Sequence, residues 1–212
     1  MLVSDMKYGK NREKIVCIGL GKTGTTSFSQ AMLELGYRHC GHGARLPKLG
    51  NAIGSELGIN LALRYYNSFD DFPWPYLYKK IAVKFPNAKF VLTRRKNTDV
   101  WLKSLHKAYS RKGPTYEKFK NYGYFSVLQN PEHHVRLYES HLKAVRSYFL
   151  GSPRLLEVCW EDGDGWKELC GFLGANTPKS PFPVANKATK IDYDLATEKA
   201  NLELEKIIAR RS

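Results

Sequence analysis

Residues 15–29 read Ile-Val-Cys-Ile-Gly-Leu-Gly-Lys-Thr-Gly-Thr-Thr-Ser-Phe-Ser, and this stretch decides the fold. An apolar run typical of a buried β-strand breaks at Gly19, Gly21 and Gly24 and continues as a helix-compatible segment. Glycines let the backbone turn so that several N–H groups point inward, and a helix N-terminus adds its own unpaired donors. A strand, a glycine-rich turn and a helix in this order predict a phosphate-binding loop.

The loop departs from the Walker A motif, G-x-x-x-x-G-K-[ST], of nucleoside triphosphatases. Gly19 and Gly24 have the expected spacing, but Thr25 and Thr26 follow where lysine and Ser/Thr are required, and the lysine comes earlier, at Lys22. A late lysine reaches the β- and γ-phosphates and the next hydroxyl holds magnesium, so this loop is poorly equipped for a triphosphate. An early lysine suits a shorter anion, where it would lie beside the bridging oxygen of a single 5′-phosphate.

Apolar β-type runs alternate with helix-compatible segments along the chain, which favours an α/β class with a central parallel sheet flanked by helices. The first strand is predicted over Glu13–Gly19 and another over Lys89–Thr93, with helices over Thr25–Leu35 and Asn97–His106. Tyr109–Gln129 has no clean period and is interpreted as a mobile lid or acceptor-binding insert. Further predictions are a strand over residues 154–160, helices over residues 131–149 and 165–173, and a C-terminal helix within residues 190–212.

The chain resembles the sulfotransferases that use 3′-phosphoadenosine 5′-phosphosulfate, specifically their smaller, mostly bacterial branch. The segments that carry the resemblance are Gly19-Leu-Gly-Lys-Thr-Gly-Thr-Thr-Ser27, Leu35-Gly-Tyr37, Asp71-Phe-Pro-Trp-Pro-Tyr-Leu-Tyr78, Phe85-Pro-Asn-Ala-Lys-Phe-Val-Leu-Thr-Arg-Arg-Lys96, Trp101, Ser104, and residues 163–174 and 182–186. The resemblance implies a P-loop-like sulfotransferase fold and transfer of a sulfuryl group to a hydroxyl or amine acceptor. The product nucleotide would be adenosine 3′,5′-bisphosphate, and no metal would be required.

The phosphate loop is expected to hold the 5′-phosphosulfate of this donor. Lys22 is the first choice for stabilising the bridging oxygen as negative charge develops there. The alternative, a solvent-exposed lysine on an ordinary turn, fits the surrounding glycines and hydroxyls less well. The residues expected to contact the donor through amides or hydroxyls are Gly21, Lys22, Thr23, Gly24, Thr25, Thr26 and Ser27.

A second phosphate site is expected where a buried strand ends in two arginines. Arg94 and Arg95 follow an apolar run, and the carboxyl ends of strands in open α/β sheets are where ligands gather. In the family an arginine and a later serine clamp the donor's 3′-phosphate, and Arg95 and Ser104 are the matching positions. The register could instead favour Lys96. The alternative role for Arg94 is a surface pair with Asp99, with Ser104 as an exposed helix hydroxyl.

Four residues are candidates for the general base that takes the acceptor's proton. Asp71 leads because the resemblance places an acidic residue there, and Asp70 is the near alternative. Either aspartate could instead cap the helix that follows, an alternative nearly as well supported. His39 and His42 follow a predicted second strand, where other branches of the superfamily carry a catalytic or substrate-contacting histidine.

Lys187 lies where larger family members close a basic loop over the donor, and we include it among the donor-binding residues.

The composition of the chain limits which of these interpretations are possible. The 212 residues, 42% hydrophobic, predict one domain spanning residues 1–212, and the four cysteines lack the spacing of a zinc site. The chain starts with a polar segment that lacks a signal peptide's apolar stretch, and no apolar stretch is long enough to span a bilayer. These features predict a cytoplasmic protein without a membrane partner.

The net charge of +14 is also compatible with binding to nucleic acid, but no nucleic-acid-binding motif accompanies it. The rival functions are an ATP-dependent small-molecule or nucleotide kinase and a basic nucleic-acid-binding module.

Overall fold

Five parallel strands form one sheet in the computed structural model, which describes residues 13–41, 56–112 and 116–184. The strands follow the order β2-β3-β1-β4-β5 across the sheet. Their bounds are Ile15–Cys17 (β1), His39–Cys40 (β2), Ser68–Phe69 (β3), Lys89–Thr93 (β4) and Leu155–Val158 (β5). The chain leaves β1 toward one edge of the sheet and leaves β4 toward the other, so the crevice between the carboxyl ends of β1 and β4 is the topological switch point.

Seven α-helices accompany the strands in the described part of the chain. They are Thr25–Glu34 (α1), Glu56–Tyr65 (α2), Trp74–Lys84 (α3), Thr98–Lys112 (α4), Tyr116–Tyr122 (α5), Pro131–Tyr148 (α6) and Trp166–Leu173 (α7), with 3-10 helices at Val127–Gln129 and Trp160–Asp162. Parallel strands need crossover connections, and helices supply them here. The predicted α/β class with a central parallel sheet and flanking helices is confirmed. No helix in these described ranges combines the length and hydropathy of a membrane span.

The central strands carry apolar residues on both faces because both faces are buried in the core. Ile15, Val16 and Cys17 of β1 and Phe90 and Val91 of β4 are all fully buried. A parallel sheet covered on both sides excludes water from both faces of its inner strands, which therefore read as continuous apolar runs. Apolar side chains of α1 and α7 join one face of the sheet in a single cluster that includes Phe28, Met32, Trp166 and Leu169.

The described chain divides into two compact units. One consists of the residues up to Arg94 and those from Phe149 onward, and it contains the whole sheet. The other is Arg95–Tyr148, with helices α4, α5 and α6. Within it the Trp101 and Tyr138 rings stack at 4.4 Å and 7°, and the Arg95 amide donates to the Tyr138 hydroxyl at 3.0 Å. That the whole chain is one domain stays a prediction.

The segment predicted to be irregular is largely helical, which corrects the sequence interpretation. Helix α4 continues to Lys112 instead of ending near His106 because Leu102, Leu105 and Tyr109 form one buried stripe at helical spacing. Helix α5 and the first 3-10 helix follow, and Gly123, with φ of 80°, closes α5. A role of residues 109–129 as a lid stays a prediction.

Two strands are shorter than predicted, and some predicted elements lie outside the described residues. β1 covers Ile15–Cys17 instead of Glu13–Gly19 because the chain turns into the glycine loop. β5 ends at Val158 because Cys159 is already the N-cap of the 3-10 helix that begins at Trp160. The predicted C-terminal helix within residues 190–212 falls beyond the described residues.

Candidate active site

The phosphate loop joins β1 to α1 at the switch point of the sheet. Gly24 is the N-cap of α1, with φ of 96° and ψ of 24°, and as a glycine it has no side chain to accept from the first-turn amides. No acidic residue lies in the first turn of α1, so the positive end of the helix dipole is not neutralised there. Lys22 is partly buried and also has a positive φ, 75°. The loop therefore combines a helix N-terminus with an ammonium group, as an anion site requires.

Thr93 at the end of β4 forms the floor beneath this loop. The Thr23 hydroxyl donates to the Leu20 carbonyl at 2.7 Å and pairs with the Thr93 hydroxyl at 2.7 Å, while the Cys17 thiol contacts Thr93 at 3.5 Å. Burial and the charge of Asp70 raise the pKa of Cys17 to about 12 although the hydrogen bonds with Thr93 lower it, so this group stays a thiol. A Cβ at residue 19 would overlap both the side chain and the carbonyl of Thr93, so only glycine fits there.

The loop side chains expected at the donor differ in exposure. Thr23 is 1% exposed and its hydroxyl is used inside the loop, so a contact from Thr23 to a ligand would come from its amide. Thr25 and Ser27 are also buried, whereas Thr26 is exposed. Gly21 is partly buried. Their roles in binding a donor stay predictions.

Arg95 and Ser104, which the family resemblance pairs, lie within hydrogen-bond distance of each other. A guanidinium nitrogen of Arg95 donates to the Ser104 hydroxyl at 3.3 Å, within the unit formed by residues 95–148. Lys96 is exposed.

Arg94 forms ion pairs with two acidic side chains. It pairs with Glu157 of β5 at 2.9 Å and with Asp162 at 3.4 Å, while a pair with Asp99 stays an alternative from sequence. These acidic side chains lie next to the end of the sheet because β4 and β5 are parallel neighbours. Arg94 therefore ties β4 to the 3-10 helix at Trp160–Asp162.

His39 and Asp70 belong to a buried polar cluster at the ends of β2 and β3. His39 Nε2 lies 3.1 Å from Asp70 Oδ1 and 2.9 Å from the Ser29 hydroxyl, and its Nδ1 lies 2.9 Å from the Ser68 hydroxyl. Ser29 also donates to Asp70 Oδ2 at 2.7 Å. His39 and Asp70 are 6% and 2% exposed. The burial of Cys40 together with the neighbouring Asp70 charge raises the pKa of that thiol to about 12. Both nitrogens of His39 and both oxygens of Asp70 are thus engaged within the protein.

Asp71 is the more accessible of the two neighbouring aspartates. It is partly buried, its φ is 62°, and its Oδ1 accepts from the Phe72 amide at 2.9 Å. Its carbonyl, not its carboxylate, accepts from the Trp74 amide at the start of α3, and the N-cap position of that helix is Pro73 without a side-chain cap. The helix-capping alternative therefore does not describe either aspartate.

Two predicted site residues, His42 and Lys187, lie outside the described residues. Within the described ranges, no three His, Cys, Asp or Glu side chains are grouped so as to hold a metal ion.

Sequence reasoning missed three contributors to this site. Thr93 carried a signal, since it is a polar residue at the end of a buried apolar strand. No sequence signal marked Ser29 or Trp160, because their contacts join residues far apart in the chain. Ser29 on α1 contacts His39 and Asp70 at the ends of β2 and β3. The Trp160 indole donates at 3.2 Å to the carbonyl of Gly24, 136 residues earlier.

In a comparison with protein families, the chain matches the sulfotransferase domain over residues 14–122 and 113–191. These two segments include the phosphate loop, all five strands and all seven helices described above. A comparison with curated proteins finds none that matches the chain.

Proposed function

The chain belongs to the sulfotransferase domain family, and from this premise we propose that it transfers a sulfuryl group from 3′-phosphoadenosine 5′-phosphosulfate to a hydroxyl or amine acceptor. The family supports sulfuryl transfer in general. The choice of donor is supported by one observation above all: the loop's lysine, Lys22, precedes the helix that would cradle the phosphate. That arrangement suits one 5′-phosphate better than a triphosphate chain.

In the proposed reaction the loop binds the part of the donor that leaves. The acceptor's oxygen or nitrogen forms a bond to sulfur while the bond from sulfur to the bridging oxygen breaks, and that oxygen remains on the 5′-phosphate with its electron pair. Lys22 and the first amides of α1 stabilise this developing charge. Fixed donors need no reorganisation when the charge appears, so they lower the barrier more effectively than mobile water would.

The acceptor's proton passes to Asp71 in this proposal. Asp71 is supported over Asp70 by its accessibility, since Asp70 is 2% exposed and both its oxygens already accept hydrogen bonds. His39 is weakened as a candidate for the same reason, because both its ring nitrogens have partners inside the protein. A general base must reach the proton it abstracts, so an engaged, buried group is the poorer choice.

Arg95 and Ser104 are proposed to hold the donor's 3′-phosphate. Their contact at 3.3 Å supports the proposal because it presents a guanidinium and a hydroxyl at one place, and guanidinium groups bind phosphate with paired hydrogen bonds. Arg94 is less suited because Glu157 and Asp162 already neutralise it.

Calorimetric titration of the purified chain tests the donor class. We expect adenosine 3′,5′-bisphosphate to bind more tightly than ATP with magnesium by at least about tenfold, or about 1.4 kcal/mol. Tighter binding of ATP with magnesium would contradict the proposal and favour a kinase. Tighter binding of a DNA oligomer, with a steep dependence on salt, would favour a nucleic-acid-binding function.

Replacing Arg95 with alanine is expected to weaken bisphosphate binding by about ten- to a hundredfold, since hydrogen bonds to charged groups contribute about 1.5–3 kcal/mol each. Adenosine 5′-phosphate, which lacks the 3′-phosphate, should bind the variant and the wild type equally. Lys96→Ala is the matched control, because it removes one positive charge from the adjacent, exposed position. If Lys96→Ala is the variant that loses affinity for the bisphosphate, the register of the 3′-phosphate site is wrong by one residue.

A further inference from the structure

Trp160 contacts the phosphate loop through the one peptide group at which the loop becomes a helix. Its indole Nε1 donates to the Gly24 carbonyl at 3.2 Å. The same carbonyl accepts the first hydrogen bond of α1, from the Phe28 amide, also at 3.2 Å. Gly24 O is therefore held by two donors, one from the helix itself and one from a side chain of the 3-10 helix that follows β5.

The indole also occupies the space where a side chain at position 24 would lie. A Cβ built on Gly24 would overlap Cδ1 and crowd Nε1 of Trp160, and the φ of 96° at Gly24 already disfavours any other residue. The glycine of the loop and the tryptophan thus require each other, the glycine for its missing side chain and the tryptophan for its ring and its N–H group.

Trp160 is itself held in place from two sides. Its ring packs on Phe182 at 4.6 Å between centroids. The 3-10 helix that begins at Trp160 is tied to the end of β4 by the ion pair of Asp162 with Arg94 at 3.4 Å. These contacts give the indole a fixed position relative to the sheet.

We propose that Trp160 is a positioning residue of the phosphate loop, which fixes the Gly24–Thr25 peptide so that the Thr25 amide is directed at the donor's 5′-phosphate. A trans peptide is planar, so an anchored carbonyl also sets the direction of the N–H group on its other side. The Thr25 amide is the first donor of α1, and anion binding at a helix N-terminus depends on the direction of these amides. The identity of the ligand in this inference rests on the proposed function, whereas the anchoring of the Gly24 carbonyl by Trp160 does not.

Trp166 supplies a matched control. Its indole also donates to a backbone carbonyl, that of Ser180 at 2.9 Å, and its ring also packs on Phe182, at 5.1 Å. Trp160→Phe and Trp166→Phe therefore remove the same kind of hydrogen bond from two rings that share a neighbour, and only the first bond ends on the phosphate loop.

The test measures ligand affinity by calorimetry and amide hydrogen exchange across residues 19–28 in the ligand-free protein. Trp160→Phe is expected to bind adenosine 3′,5′-bisphosphate about three- to tenfold more weakly, the effect of one net hydrogen bond. Its affinity for adenosine 3′-phosphate, which has no 5′-phosphate, should be unchanged, and exchange in the loop should be faster. Trp166→Phe should lower the melting temperature without either effect.

The outcomes separate this inference from the proposed function. Equal weakening toward both nucleotides, or unchanged bisphosphate affinity, would overturn the positioning role. If the wild type does not bind the bisphosphate, the proposed function fails, while faster loop exchange in Trp160→Phe alone would still support the anchoring. Should Trp160→Phe not fold, Asp162→Asn loosens the same 3-10 helix at a more exposed position and should accelerate loop exchange in the same direction, and an unchanged exchange rate would overturn the inference.

Discussion

Replacing Lys22 with alanine is expected to lower the rate of sulfuryl transfer by about two to three orders of magnitude, the usual effect of removing one donor from a site of developing negative charge. Lys22 is the only loop residue with a side-chain charge between Gly19 and Ser27, so no neighbour in the loop replaces it. The measurement is transfer of radiolabelled sulfate from the donor to whichever acceptor the wild type uses fastest, chosen from a panel of phenols, sugars and amines.

The backbone at this position provides an unusual control. A φ of 75° costs a residue other than glycine about 1–2 kcal/mol. Lys22→Gly would relieve that strain and lose about 0.4–1 kcal/mol through the greater freedom of the unfolded chain. The glycine variant should therefore be at least as stable to thermal unfolding as the wild type and as inactive as Lys22→Ala. Transfer at more than about a tenth of the wild-type rate in both variants would show that Lys22 does not act at the leaving oxygen.

At strained backbone positions of this kind, the residue that suits function is not the residue that gives the greatest stability. Lysine is unfavourable for the backbone at position 22 because the left-handed conformation costs free energy, and the catalytic role proposed for its ammonium group would account for a lysine there. Asp71, with φ of 62°, is the second residue of this kind among those described. The sequence alone predicts a catalytic role for both residues.

The accuracy of the sequence predictions depends on how many residues carry each pattern. Lys89–Thr93 was predicted with both boundaries correct, because an uninterrupted apolar run bounded by charged residues reports burial on both faces. β2 and β3 have two residues each, which is too few for a periodicity to define their ends. The end of α4 was misplaced because its buried stripe runs into a segment rich in Lys, Gly and Tyr.

The same reasoning explains which parts of the site were predictable. Arg95 and Ser104 are nine residues apart on one helix and the turn before it, so their contact follows from local geometry. Trp160 and Gly24 meet only because β5, β4 and β1 are arranged side by side in the sheet, and no pattern in a single sequence reports such pairing. The hydrogen bonds of Asp70 and His39 likewise depend on three separate elements.

Replacing Asp71 with asparagine is expected to reduce transfer by about two to four orders of magnitude while bisphosphate affinity stays within about twofold of the wild type. The substitution is conservative in every respect except basicity. Asparagine enters the left-handed region more readily than most residues, so the φ of 62° is retained, and its Oδ1 can still accept from the Phe72 amide. A loss of turnover with unchanged donor binding would thus show that a general base was removed, and not that the backbone turn at this position was disrupted.

Asp70→Asn is the control that decides between the neighbouring carboxylates. The amide nitrogen of an asparagine would face either the Ser29 hydroxyl or His39 Nε2 in place of an accepting oxygen, so this variant should be less stable by about 1–3 kcal/mol in chemical denaturation. Asp71→Asn, at a more accessible position, should unfold at nearly the wild-type denaturant concentration. The opposite result, wild-type transfer by Asp71→Asn together with a folded, donor-binding but inactive Asp70→Asn, would assign the base to Asp70. In that case the Ser29 and His39 hydrogen bonds would have to rearrange before the acceptor's proton could reach Asp70, because both of its oxygens are engaged in the structure described.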